Sequence, residues 1–306
     1  MESNEWRFPL YIDNTIMKDW RRCPQYFMRR HCQGLQVNEN ELSIDLHFGA
    51  AFAKGIETGR KEFFWNCASS SMAAEAGIEA ALKAYGNRMP PPKSAKTRDN
   101  LIDAICGYFR QWPLDEDNLV PVENGVEYEF KVTLPVLHPI TDKFLVYCGR
   151  MDMLARDRDT GAIVVVDEKT ASRFTDSWFS KWDMDTQLTG YLYVASAFGT
   201  DDLPPQGQIR GIGISNLGPT FVRTAIHRTK HAIDLWWMQL VRDLKEMRNA
   251  FKDLVNMESN FAYRMGESCY TYQRPCEYTR LCTSPNPDAF LDQYEVRFWN
   301  PVNRSK

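Results

Sequence analysis

The chain has 306 residues, 43% of them hydrophobic and 25% charged, with a formal net charge of −3. This length supports a large core or two lobes, and the composition excludes disordered, collagenous and disulfide-dense classes. The slightly acidic balance excludes nucleic-acid binding by bulk charge alone, so any such binding needs a local patch.

In chain order, NTIMKDWRRCPQYFMRRH (14–31) reads as a helix interrupted by Pro24. A second helix is expected over 48–66, with two more near 69–86 and 97–112. Between these last two lies GNRMPPPKSAKTR, a Pro-rich basic stretch expected to be an exposed loop. Strand signals begin near 125 with VEYEFKVTL, then KFLVYCGRMDML and AIVVVDEKT. A helix is expected over 184–198 and a fourth strand in QIRGIGISNL. The segment from Arg228 to Met257 is the strongest helix. Ile233, Trp237, Leu240, Val241, Leu244, Met247, Phe251 and Leu254 fall on one stripe, best read as core. The tail from 261 is rich in Cys, Tyr and Pro, and no internal repeat is visible. This order predicts an α/β core with a mixed sheet. No apolar run approaches a membrane span, and the opening MESNEWRFPLYID lacks a signal-peptide pattern. A soluble cytoplasmic protein without membrane contact is the expectation.

The chemistry concentrates at strand ends. Asp152 sits late in one strand, and Asp167, Glu168 and Lys169 follow Val164, Val165 and Val166 in the next. Side chains alternate along a strand, so Asp167 and Lys169 share one face and Glu168 points to the other. If the two strands pair through RDRDTGA, Asp152 lies beside Asp167. Adjacent carboxylates repel, burial makes this worse, and a divalent cation relieves both costs. Oxygen-only ligation suits Mg²⁺ or Mn²⁺, and Lys169 could then orient the attacking water. A solvent-exposed hairpin with a Lys169–carboxylate salt bridge is the alternative. Gln187 and Tyr191 fall four apart on one face of the following helix. Upstream, Glu127 and Glu129 could add an acid.

Taken together, these residues resemble the PD-(D/E)XK nuclease superfamily in its RecB-like branch, which carries G-x-x-D, D-x-K and Q-x-x-x-Y in order. Here they are Gly149 to Asp152, Asp167 with Lys169, and Gln187 with Tyr191. The resemblance implies a restriction-endonuclease-like α/β core with a mixed central sheet flanked by helices. It also implies that Asp152 and Asp167 ligate Mg²⁺ or Mn²⁺, that Lys169 assists the water, and that Gln187 and Tyr191 steady the site and contact DNA. The family often opens with G-x-x-x-H-x-x-x-E, and here Gly49, Ala53 and Glu57 stand at those positions, with His47 six residues too early. Alanine cannot bind metal, so Glu57 or Glu127 would have to supplement the carboxylates.

The chain has 8 cysteines. Cys32, Cys67, Cys106 and Cys148 read as small hydrophobes. Cys269, Cys276 and Cys282 form a C-x6-C-x5-C array, and Cys23 lies in WRRCPQYF. Short zinc knuckles are absent, whereas iron–sulfur clusters accept more varied spacing. Zinc or four buried thiols remain open at this level. The chain is also similar to the iron–sulfur subgroup of the branch, including AddB-type subunits and CRISPR-associated exonucleases. That subgroup has one cysteine before the core, in a C-P-x-x-F/Y context, and three after it. The resemblance implies a [4Fe–4S] cluster on Cys23, Cys269, Cys276 and Cys282, with a structural role. The expected organisation is then an N-terminal helical part over 1–47, a nuclease core over 48–218 with a helical insertion at about 67–121, and a helix with an iron–sulfur tail over 219–306. The iron–sulfur lobe joins the two terminal parts.

Lys18, Arg21, Arg22, Arg29 and Arg30 crowd around Cys23, with Trp20, Tyr26 and Phe27 interleaved. Cations can hold phosphates while aromatics stack unpaired bases, and a solvated amphipathic face is the alternative. Lys93, Lys96 and Arg98 are expected to form a second, mobile contact. The leading expectation is a bacterial or viral DNA exonuclease acting on single strands or ends, leaving a 5′-phosphate and a 3′-hydroxyl. The alternatives are an inactive nuclease-fold subunit of a helicase or recombination complex, or a processing nuclease of CRISPR adaptation. Partners are DNA and such helicase or recombination proteins, with a homo-oligomer left open.

Overall fold

The computed structural model describes residues 6–37, 43–200, 202–255, 266–271 and 274–302. The N-terminal elements are β1 (Tyr11–Ile12), α1 (Asn14–Arg22), α2 (Pro24–Phe27), a π-helical turn at Met28–Cys32, β2 (Leu35–Val37), α3 (Ile44–Phe64), α4 (Ser70–Tyr85) and α5 (Arg98–Gln111). Then come β3 (Leu119–Leu137), β4 (Phe144–Asp157), β5 (Ile163–Ala171), α6 (Asp176–Ser180), α7 (Thr186–Ala195), β6 (Gln206–Ser215) and β7 (Gly218–Ile226). The chain continues with α8 (Lys230–Val255), β8 (Tyr270–Thr271), β9 (Arg274–Pro275), α9 (Thr279–Thr283) and β10 (Tyr294–Val296).

Polar caps set the helix starts. The side chains of Asp13, Ser43, Ser69, Thr97 and Asp185 each accept a backbone N–H three residues on, satisfying donors that a helix leaves orphaned. Because Ser43 caps α3, that helix runs through the boundary drawn at 47/48. Pro24 has no N–H to continue α1, so Cys23 turns extended (φ −166°, ψ 123°) and α2 starts afresh. The expected helix over 14–31 is therefore three pieces, with Cys23 at the break.

The chain forms two compact units. One comprises residues 41–129 and 150–234. Its sheet is mixed: β4 pairs antiparallel with β5 (Met153 opposite Val166), β5 runs parallel to β6 (Asp167 opposite Ile209), and β6 pairs antiparallel with β7 (Gly211 opposite Val222). β7 was not expected; its Thr220, Arg223 and Thr224 leave little apolar alternation, as befits an edge strand. Phe48, Phe52 and Ile56 of α3 form a core with Tyr85, Leu101, Ile105, Tyr108 and Trp112, closed by Ile212 and Ile214 of β6. Met153, Ala155, Val164 and Val166 pack with Leu119 in a smaller cluster.

The other unit comprises 1–40, 130–149 and 235–306. There β1 pairs parallel with the start of β4, Tyr11 lying opposite Val146. The buried face of α8 runs through Trp236, Leu240, Asp243, Leu244, Met247 and Phe251. Trp236 rather than Trp237 leads it, its ring 5.5 Å from Tyr147. Asp243, buried on the same face, pairs with Arg21 at 2.8 Å, so the observed stripe differs from the expected one by including a charged residue. Asn256 and Met257, the end of the expected helix, lie outside the described residues. A second cluster joins Tyr26, Leu35, Tyr278, Leu281 and Tyr294, and β2 pairs with β10. Among the described residues, no helix is long and apolar enough to cross a membrane.

Helices α3 and α4 meet backbone to backbone. A Cβ on Gly77 would lie 2.7 Å from the Gly55 carbonyl oxygen, and one on Gly55 would lie 2.9 Å from that of Gly77. Neither helix can yield without disturbing the Phe52–Ile105 core. Gly77→Ala is expected to cost about 1–3 kcal/mol, as overpacking generally does, read as a lowered thermal midpoint. An unchanged midpoint would refute the backbone contact.

Candidate active site

Ile163 to Val166 are buried, and the strand leaves the core at its acids. Asp167 is 2% exposed, and Lys169 Nζ lies 2.6 Å from its Oδ2 on the same face. That contact is a charge pair, for Oδ2 has no aligned hydrogen-bond donor. Asp152 Oδ2 accepts the Glu168 N–H at 2.7 Å, so the acid of β4 is tied to the backbone of β5. Burial pushes both carboxyls above their usual range. At Asp152, the charges of Asp167 and Glu168 add to the rise. At Asp167, Lys169 opposes it. Burial works against the charge on Lys169, but Asp167, Asp152 and Asp185 together outweigh it and hold the ammonium charged.

The side chain of Glu168 turns into the core. Arg60 Nη2 meets its Oε1 at 2.5 Å, and the Tyr108 hydroxyl donates to the same oxygen at 2.7 Å. Arg210 Nη1 donates to that hydroxyl at 3.1 Å and, through Nη2, to Asp117 at 2.6 Å. Burial works against the charge on Glu168, but Arg60, with Arg210 and Tyr108, outweighs it and holds the carboxyl below its usual range. Sequence reasoning missed this network. Its signal is spacing: Phe52, Ile56 and Arg60 fall on one face of α3, so the arginine continues an apolar stripe.

The other acids are differently placed. Glu57 accepts from Lys54 at 3.0 Å and Lys61 at 2.7 Å. Burial disfavours its charge, yet these bonds keep its carboxyl low. Glu127 pairs with Arg150 at 2.6 Å. Burial raises its carboxyl, with Glu57 and Glu168 adding to the rise against Arg150. Its φ of 54° places it in the left-handed region, a local break in β3. Glu129 is exposed and His47 bonds the Tyr85 carbonyl at 2.8 Å, so neither joins the acids. Gln187 Nε2 donates to the Tyr191 hydroxyl at 2.7 Å, and that hydroxyl donates to the Arg150 carbonyl at 2.8 Å. The pair braces β4 two residues before Asp152. Among the described residues, no three His, Cys, Asp or Glu side chains form a ready-made metal cage. The buried, mutually repelling carboxylates and the unaligned Asp167 oxygen nevertheless suit a hard cation.

A family model of the PD-(D/E)XK nuclease superfamily matches residues 15–283. The chain belongs to that superfamily. A crystal structure described as a candidate exonuclease from Eubacterium rectale aligns with a TM-score of 0.51 at 12% identity, covering 90% of this chain and 93% of that one. At this identity the likeness concerns the fold. The crystal structure of SSO0001 aligns with a TM-score of 0.28 at 17% identity over 73% of this chain and 79% of that one, too distant to carry an argument. No curated protein matches.

In this PD-(D/E)XK chain, Cys23, Cys269, Cys276 and Cys282 line one cavity of about 170 Å³. The β8–β9 hairpin sets Cys269 beside Cys276, whose N–H donates to the Cys269 carbonyl at 2.7 Å. Cys282 arrives on α9 and Cys23 at the Pro24 break. Cys32 is fully buried and does not line the cavity.

The arginines expected to track DNA are engaged internally. Arg21 pairs with Asp243. Arg30 bonds the Tyr26 hydroxyl at 2.9 Å and pairs with Asp19 and Glu277 at 3.5 and 3.6 Å. Arg29 donates to Gln33 at 2.9 Å. Arg22 lies 4.4 Å over the Tyr26 ring and lines the cysteine cavity. Trp20, Tyr26 and Phe27 are buried and cannot stack bases. Lys18 alone of the five cations is exposed. The arginines' partners are Asp243, Asp19, Glu277, Gln33 and Tyr26, so little of this charge is left for solvent. Lys96, expected on a mobile loop, is also buried.

Removing Arg60 strands a buried carboxylate. Arg60→Met is expected to cost about 3–5 kcal/mol, measured by urea unfolding, and Tyr108→Phe about 1–3 kcal/mol. A raised carboxyl pKa means that the folded state binds the extra proton. Metal-free stability therefore falls as pH rises from the ordinary carboxylate range, about 4, toward the raised value. Asp152→Asn should flatten that slope; an unaltered slope would show that Asp152 does not supply it.

Proposed function

We propose that the protein is a Mg²⁺- or Mn²⁺-dependent deoxyribonuclease that acts as an exonuclease on single strands or DNA ends, releasing 5′-phosphate and 3′-hydroxyl products. The observation that carries this reading is the meeting of Asp152, Asp167 and Lys169 where β5 leaves the core. Asp152 and Asp167 would hold the cation, which supplies Lewis acidity toward the phosphate and lowers the pKa of water. Glu127 and Glu57 stand nearby as further oxygen donors. Lys169 keeps 33% of its side chain exposed, so its charged ammonium can reach both an attacking water and a phosphate oxygen. It would orient the water and offset charge on the phosphate as the bond to the leaving oxygen breaks. Gln187 and Tyr191 hold the backbone ahead of Asp152, while Arg60 and Tyr108 hold Glu168, whose N–H fixes the Asp152 carboxylate. These four position groups rather than react.

The same reading includes a structural [4Fe–4S] cluster. It is supported by four cysteines on one cavity, from stretches far apart in sequence, with Arg22 beside them to offset thiolate charge. Hydrolysis needs no electron transfer, so the cluster would act as a staple. Its folding energy would be that of a metal site.

End-labelled single- and double-stranded DNA with Mn²⁺ tests the chemistry. Asp167→Ala and Lys169→Ala are expected to abolish cleavage while leaving binding in chelator near the parent value. Parent-rate cleavage by Lys169→Ala would sink the assignment. Anaerobic protein should be brown and hold about four irons per chain. Cys276→Ser should lose iron and gain protease sensitivity, whereas Cys32→Ser should keep both properties. Colourless protein with stoichiometric zinc would replace the cluster by a zinc staple.

A further inference from the structure

Beside the acids, a second cavity of about 470 Å³ opens between the first turns of α3 and the end of β5. Its volume falls within the range of small-molecule sites. Lys169, Thr170 and Ser172 form one wall, while Gly49 and Ala53 keep the opposite wall low. A Cβ on Gly49 would lie 3.2 Å from Thr170 Oγ1, so glycine lets α3 and β5 approach. Ala53 leaves open a space that a larger side chain would enter.

The lining also includes Glu168, clamped by Arg60, the exposed Asp45, and Lys96, whose side chain is only 6% exposed. Its charged neighbour is Asp45, 3.9 Å away and itself 71% exposed, and its ammonium lies 5.1 Å from the Phe48 ring centre. An ammonium carries three donors and is costly to bury without close acceptors. Burial accordingly lowers the Lys96 pKa, which Asp45 only partly opposes. The backbone holds this residue in place: the Tyr85 hydroxyl donates to the Lys96 carbonyl at 2.5 Å, and Ser94 Oγ accepts its N–H at 3.2 Å. Lys96 is thus held by its backbone and short of acceptors, in a cavity that borders the β5 stretch carrying the candidate catalytic residues.

We propose that this cavity binds the terminal phosphate of a DNA strand, with Lys96 as its anchor. A phosphate would supply the acceptors that Lys96 lacks, and Thr170 and Ser172 offer hydroxyl donors to the same group. A monoester dianion gains more from this ammonium than a diester does, which favours a strand end over an internal link. Asp45 opposes the anion and occupies Lys96 when no strand is bound. The proposal rests on the nuclease reading for the identity of the strand. In it, Lys96 binds and does not react.

The test is binding without metal. Oligonucleotides bearing a 5′-phosphate, a 3′-phosphate or hydroxyl ends are titrated by fluorescence anisotropy in chelator, with the purified full chain. The expected result is that one phosphorylated end binds about tenfold tighter than the hydroxyl-ended strand. Lys96→Gln should erase that preference, Lys96→Arg should restore part of it, and Asp45→Asn should enlarge it. Asp45 is exposed, so its variant keeps the test decisive even if Lys96→Gln fails to fold. Equal binding of all three strands by the parent protein, or a preference that survives Lys96→Gln, would overturn the proposal. So would an Asp45→Asn variant with no enlarged preference. End preference in chelator without cleavage in Mn²⁺ would leave this proposal standing and remove the nuclease reading. Cleavage without end preference would do the reverse.

Discussion

Glu168 faces two ways, and the candidate site depends on both. Its backbone N–H holds the Asp152 carboxylate, and its side chain is clamped by Arg60 and Tyr108 within the helical core. Strand alternation makes this possible: the residue between Asp167 and Lys169 must point away from them. The acid that points away from Asp167 and Lys169 is therefore used to fix the strand that carries them. An ion pair buried this deeply adds little net stability, but it is costly to break. Its value here is precision, since the pair couples α3 to the end of β5 and limits the freedom of the flanking groups.

Charge is divided with little surplus. Arg21, Arg22, Arg29 and Arg30 all lie near Cys23, yet three take acidic or amide partners and the fourth stacks on Tyr26 beside the cysteine cavity. Beside the acids, Glu57 is neutralised by two lysines and Glu127 by Arg150. Among the described residues Asp152 has no ion-pair partner of its own, and burial leaves its carboxyl raised against the opposing charge of Lys169. A site built this way concentrates its unmet electrostatic demand on one pair of oxygens, where an external cation gains most.

Much of this was legible in the sequence because it obeys short periods. The shared face of Asp167 and Lys169 follows from a period of two, and the Gln187–Tyr191 bond from a spacing of four. Helix starts were readable within a few residues: the expected 14, 69 and 97 stand against Asn14, Ser70 and Arg98. What escaped reading depends on partners distant in sequence. Arg21 meets Asp243 across 222 positions, and Arg60 meets Glu168 across 108. A local cluster of arginines looks identical whether it faces solvent or a distant carboxylate. β7 escaped because edge strands tolerate polar residues on both faces. Lys96 escaped because a Pro-rich basic loop reads as exposed, and nothing local announces that Tyr85 pins it inward.

The cysteine cavity also has a history in time. Its cysteines come from residue 23 and from residues 269 to 282, so it cannot exist until residue 282 has been made. At ordinary synthesis rates, the first thiol waits roughly 10–50 s for the last. During that interval Cys23 stands at a helix break with its partners unmade, open to oxidation or to capture by stray metal. A chain terminated early has nothing to close the cavity with. Closure therefore reports that translation has run past Cys282, and the segment around Cys23 gains these cavity neighbours only then.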